Sequence, residues 1–79
     1  MKCVYILQSI PYHKKFYTGS TSDLKRRLSE HNQGLSSHTK KHMPWKLKSY
    51  IAFDDEKRAQ EFERYLKTSS GRAFTVKHL

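Results

Sequence analysis

Apolar residues run through Cys3 to Ser9 on both sides of an extended chain, with Val4 and Ile6 facing one way and Cys3, Tyr5 and Leu7 the other. A strand apolar on both faces belongs in the middle of a sheet that is covered on both sides. Pro11 and its polar neighbours from Ile10 to Lys15 predict a short hairpin loop. The β-branched and aromatic run of about Lys15 to Thr18 then predicts a second, antiparallel strand. Tyr5 and Tyr17 should therefore lie on neighbouring strands, and Gly19 should end the second one. Leu24 and Leu28, four apart, form the apolar stripe of a helix. Ser20, Thr21 and Ser22 are its candidate N-caps, and Gly34 is its natural C′ residue. Arg27 and His31 are also four apart and flank the leucines, so both should emerge where core meets solvent, beside the sheet that holds Tyr17.

Leu35 to Met43 is polar and basic and predicts irregular structure, with at most a helical turn. After Pro44 the odd positions Trp45, Leu47, Ile51 and Phe53 are apolar, the alternation of a half-covered strand. Asp54 or Asp55 can cap the next helix, which should run to about Thr68 and turn Ala59, Phe62, Glu63 and Leu66 inward. Gly71 should end it, leaving Arg72 to Leu79 as a short tail that docks on the sheet. The order is strand, strand, helix, basic loop, strand, helix, an α+β arrangement of one sheet with helices packed on it. Neither a repeat nor a second domain is visible, so residues 1–79 read as a single domain.

Charge adds the next constraint. Sixteen Lys and Arg against seven Asp and Glu give a net charge of +9. Five of the seven acids lie between Asp54 and Glu63, which leaves the central segment strongly basic. A basic segment interleaved with aromatics suits a polyanion, and nucleic acid is the commonest such partner. Lys14, Lys15, Lys25, Arg26, Lys40, Lys41, Lys46 and Lys48 are the candidate phosphate contacts. The one cysteine, Cys3, excludes an intrachain disulfide and favours a reducing, cytoplasmic setting, and no apolar run is long enough for a membrane span. His38 and His42 have the spacing of helical metal ligands. The absence of a Glu between them and of a second Cys argues against zinc and for phosphate contact.

Glu63 is the residue that periodicity leaves unexplained. A carboxylate turned toward the core is costly unless it is paired or binds a cation. Either it pairs with a core-edge cation such as Arg27, or it holds a metal ion at an active site.

Tyr5, then Tyr17-Thr18-Gly19 after a hairpin, then Arg27 and His31 in one helix and Glu63 in a later one, resemble the GIY-YIG nuclease superfamily. SDLKRRLSEHNQG and EFERYLKTSSGRAF are similar to its small stand-alone bacterial members. The first motif is altered here, with Cys3 and Val4 in place of its Gly and Ile, and Thr18 replaces the Ile of the second. The resemblance implies a three-stranded antiparallel sheet flanked by helices. It further implies metal-dependent hydrolysis of DNA phosphodiesters, in DNA repair or processing, with one Mg²⁺ or Mn²⁺ ion. Arg27 would stabilise charge on the phosphoryl oxygens, and Glu63 would hold the metal. Tyr5 and Tyr17 would share the roles of general base and orienter, and His31 would relay a proton or bind phosphate. The second reading is a non-catalytic nucleic-acid-binding module that keeps the fold, and RNA is the alternative polymer. All five side chains are expected to line one cleft, their tips within about 10 Å of one another.

If about four of the basic residues contact phosphate, the logarithm of the affinity should fall against the logarithm of salt with a slope of roughly −3 to −4. Binding titrations across a salt series check this, and a salt-independent affinity would contradict it.

Overall fold

The computed structural model describes residues 1–79. Three strands, β1 (Lys2–Ser9), β2 (Phe16–Thr21) and β3 (Trp45–Phe53), form one antiparallel sheet in the order β2-β1-β3. β1 is central, as its two apolar faces require. Val4 and Ile6 pack on one face against Ala59 and Leu66 of α2 (Glu56–Leu66), with Phe53, Phe62 and Phe74 around them. Tyr5 and Leu7 pack on the other face with Trp45, against Leu24 and Leu28 of α1 (Leu24–Asn32). The helices therefore cover opposite faces of a sheet only three strands wide. No helix is long and apolar enough to cross a membrane.

The hairpin pairs Tyr5 with Gly19 and Leu7 with Tyr17, so the two tyrosines share a face, their ring centroids 6.4 Å apart. Gly19 does not end β2. The ladder continues to Thr21 opposite Cys3, which occupies Ser20 and Thr21 in pairing and moves the cap of α1 to Asp23, whose side chain accepts from the Arg26 N–H. Gly34 takes the left-handed conformation (φ 76°) at the end of α1, as the C′ position requires. Residues 35–44 are irregular but for one 3-10 turn, Lys40–His42.

β3 departs from simple alternation. Leu47 pairs with Leu7 but Ser49 pairs with Ile6, so Lys48 is an extra residue, a β-bulge. The bulge carries the odd positions across the sheet: Leu47 lies with Tyr5 and Leu7, whereas Ile51 pairs with Val4 on the α2 face. The strand is thus covered in two halves on opposite faces, because a one-residue shift exchanges the faces.

The C-terminal segment is a third helix, α3 (Ser69–His78), and not a tail. α2 stops at Leu66, capped at its start by Asp55, which accepts from Lys57 and Arg58 N–H. Thr68 then starts α3, its hydroxyl accepting from the Gly71 N–H. Gly71 is buried inside the helix where it crosses the end of α2, and a β-carbon there would collide with the main-chain carbonyl of Tyr65 and Cα of Leu66. Glycine marks a close backbone approach here, which in sequence looks the same as a helix stop. Gly71→Ala should cost at least ~2 kcal/mol, since backbone atoms cannot step aside. Thermal melting should show a fall of about 10 °C, and an unchanged midpoint would contradict the crossing.

Candidate active site at the edge of the sheet

The site begins with His31. It lies on the inner flank of α1 and is fully buried, not at the solvent seam that its spacing suggested. A buried imidazole needs partners for both nitrogens. Nε2 is 2.9 Å from the Tyr5 hydroxyl, and Nδ1 is 2.7 Å from Thr39 Oγ1. The Tyr17 ring lies 5.0 Å from the imidazole, completing a cluster of two tyrosines and a histidine. Burial holds the His31 pKa below its ordinary value, helped by the Arg27 charge and only partly opposed by Glu30.

Arg27, one turn before His31, is half-buried. Its guanidinium is held by Glu30 at 3.1 Å, which raises its pKa further. Glu30 also meets Arg26 at 3.4 Å. Arg27 stands beside the Tyr5 hydroxyl and favours its ionisation, yet burial dominates and the Tyr5 pKa is raised. The phenol is therefore protonated at neutral pH. Gly19 makes the arrangement sterically feasible: a β-carbon there would stand 2.5 Å from Tyr5 Oη. The phenol reaches from β1 over the edge strand β2 because Gly19 has no side chain there.

Glu63 approaches the site from a different helix than Arg27. It sits on α2, on the other face, and accepts a 2.7 Å hydrogen bond from Ser20 Oγ and a 3.0 Å bond from Lys67 Nζ. It has no contact with Arg27, whose carboxylate partner is Glu30. The two halves nevertheless meet. Gly19, over the Tyr5 hydroxyl, and Ser20, on the Glu63 carboxylate, are adjacent residues of an open edge strand, their Cα atoms about 3.8 Å apart. The Glu63 charge contributes to raising the Tyr5 pKa. The arrangement is a site astride β2, with a tyrosine–histidine–arginine cluster on one face and a carboxylate on the other.

Glu63 suits a divalent cation. Burial pushes its pKa up, but the bonds from Ser20 and Lys67 and the charges of Lys67 and Lys2 outweigh this, so it is ionised at neutral pH. It faces an open polar depression of about 280 Å³ that it lines with Gln60, Arg64 and Lys67. Lys67 is mostly exposed and free to swing aside. No cluster of three His, Cys, Asp or Glu exists anywhere in the chain, so a cation here would have one carboxylate and otherwise water and substrate oxygens. His42 is not placed as a ligand: its ring packs edge-on between Tyr12 and Trp45.

The candidate phosphate contacts are dispersed. Lys14 and Lys15 lie at the hairpin tip, Lys25 and Arg26 on α1, and Lys40 and Lys41 in the 3-10 turn. Lys46 and Lys48 belong to β3, the edge away from Glu63, and Lys48 is tied to a main-chain oxygen of Leu79 at 2.8 Å. Three polar partners escaped the sequence reading. Thr39 had no periodicity to mark it. Ser20 was legible only as a cap. Glu30 could have been found from its spacing to Arg26 and Arg27.

The model of the GIY-YIG catalytic domain matches residues 1–77. A UPF0213 protein of Streptococcus pyogenes serotype M3 is 35% identical over 71 residues, covering 89% of this chain and 75% of the relative. A structure-specific endonuclease subunit SLX1 from Kluyveromyces lactis is 40% identical over 68 residues, 77% of this chain but 24% of the relative. Its Candida dubliniensis counterpart is 37% identical over 83 residues, 96% and 28% respectively. The chain thus spans about a quarter of the fungal proteins and three quarters of the bacterial one.

The burial of His31 has a pH signature. Its folded pKa lies below the unfolded value of about 6.5, so the unfolded chain takes up protons first and stability should fall as pH drops below about 6.5. The Glu63 contribution is lost separately, below about 4.5, as the carboxylate protonates. Urea unfolding at pH 7.5 and 5.5 should show this loss for wild type and a smaller one for His31→Gln. Equal losses would place the pH dependence elsewhere.

Proposed function

The chain belongs to the GIY-YIG catalytic-domain family, and from that premise we propose that it is a metal-dependent endonuclease that hydrolyses DNA phosphodiester bonds in DNA repair or processing. The observation that carries the reading is the meeting at Gly19–Ser20 of the Tyr5–His31–Arg27 cluster and the Glu63 carboxylate. A core-packing role alone explains none of the pairing between these polar groups. The name of the fungal relatives, structure-specific endonuclease subunit, supports a substrate selected by its structure, and the free thiol of Cys3 suits the cytoplasm.

The substrate phosphate is placed against the open edge of β2, within reach of Arg27. Water attack builds negative charge on the phosphoryl oxygens, and a guanidinium already fixed by Glu30 stabilises it without reorganising. Tyr5, protonated at rest, takes the water proton on Oη as it gives its own to His31 Nε2. This transfer requires the His31 tautomer whose proton is on Nδ1, facing Thr39 Oγ1. Neutral imidazole is a far better base near pH 7 than a phenol of raised pKa, so Tyr5 is the conduit and His31 the acceptor. The depressed pKa of His31 means that it gives the proton up readily once the bond to the leaving oxygen has broken. Tyr17, against both rings, fixes their orientation. Glu63 would hold Mg²⁺ or Mn²⁺, which when bound neutralises phosphate charge and acidifies water.

The test is cleavage of a panel of branched, nicked, single-stranded and duplex DNA, with RNA counterparts, in Mg²⁺ or Mn²⁺. Glu63→Ala should be inactive. Arg27→Ala should lose roughly 10²–10³-fold in turnover, the usual cost of one preorganised donor, while keeping most of its DNA affinity. DNA binding without cleavage under any of these conditions would replace the enzyme reading with that of a binding module.

A further inference from the structure

The hairpin tip joins the loop ahead of β3 into one surface that the proposed chemistry does not use. Ser9, fully buried, accepts from the Tyr12 N–H at 3.1 Å and donates to the His42 carbonyl at 2.7 Å. The Ile10 N–H reaches the Pro44 carbonyl at 2.9 Å, and the Lys15 N–H closes the turn on the Tyr12 carbonyl at 2.8 Å. The Tyr12 ring stands edge-to-face on His42 at 5.0 Å and 87°. The tip is thus held from several sides, yet Tyr12 is 55% and Phe16 48% exposed. Anchored rings left in water are a preorganised contact surface, since little entropy remains to be lost on binding.

The surrounding charge identifies the partner. Neither residues 1–22 nor residues 31–53 contain an acid, and Lys14, Lys15, Lys40 and Lys41 form no ion pair. Exposed rings among unpaired cations combine base stacking with phosphate attraction. In a duplex the base faces are already covered by their neighbours, so such a ring selects nucleotides outside the stack. We infer that the hairpin tip and the adjoining loop bind unpaired DNA nucleotides, with Tyr12 as the stacking ring. The surface leads directly to the candidate site, because Thr39, next to Lys40, bonds His31, and Tyr17 follows Phe16. A single-stranded tail held here would favour cleavage near a junction. This deepens the nucleic-acid reading above and rests on it.

The test measures binding without divalent metal, for a labelled oligothymidylate and a blunt duplex of the same length. Emission of Trp45, the one tryptophan, whose ring is 6.4 Å from His42, serves as a second readout. Tyr12→Ala should weaken oligothymidylate binding roughly tenfold and leave duplex binding nearly unchanged, while Tyr12→Phe keeps wild-type selectivity. Lys14→Ala with Lys15→Ala should weaken both. An unchanged affinity of Tyr12→Ala for oligothymidylate, or an equal loss on both DNAs, would overturn the stacking assignment and leave the nuclease reading standing. Wild type binding neither DNA at low salt would overturn both.

Discussion

A histidine without access to water determines much of this small structure. Neutral imidazole can be buried at modest cost only if a donor and an acceptor face its two nitrogens, and these come from distant parts of the chain. Tyr5 arrives from the central strand and Thr39 from the loop after α1. Thr39 is itself fixed, its carbonyl accepting from the Trp45 indole at 2.8 Å. Asn32 clamps both main-chain groups of Trp45, at 2.6 and 2.9 Å. One polar network therefore ties together the central strand, the first helix, the irregular loop and the start of β3. Such networks are worth most when complete, and no buried side-chain polar atom here lacks a partner.

The same network sets the electrostatics of the site. Burial raises one pKa, that of Tyr5, and lowers the other, that of His31. The two groups are thereby held in their neutral forms beside a permanent cation. A narrow sheet brings the groups on its two faces close together, because the edge strand β2 carries Gly19 against Tyr5 and, next to it, Ser20 against Glu63. A further strand paired outside β2 would cover the edge around which they meet.

The strands, the first two helices, the centrality of β1 and the Asp55 cap were legible because each rests on a local pattern. The candidate residues were legible as a set, but the way the fold arranges them was not. Nothing in the spacing of Arg27 and Glu63 shows that their helices take opposite faces, a matter of chain routing. Two errors have one origin: Gly19 and Gly71 are both read as stops, whereas each is a glycine demanded by an atom from elsewhere, the Tyr5 hydroxyl or the Tyr65 carbonyl. Sequence shows the missing side chain but not what fills its place. Thr39 and Ser20 are ordinary polar residues until the fold supplies their partners.

The bulge at Lys48 makes β3 an odd–even code with a frame change written into it. Upstream of the bulge, odd residues serve the histidine side of the molecule, and downstream they serve the phenylalanine side. A deletion of Lys48 would therefore return the strand to a regular ladder, with Leu47 opposite Leu7 and Ser49 opposite Ile6. It would remove the bulge and its local twist while leaving Ile51 opposite Val4 and Phe53 opposite Lys2, both on the α2 face. Which residues of β3 meet each core therefore depends on its pairing with β1 and not on the length of the strand, since one residue of that length is paired with nothing.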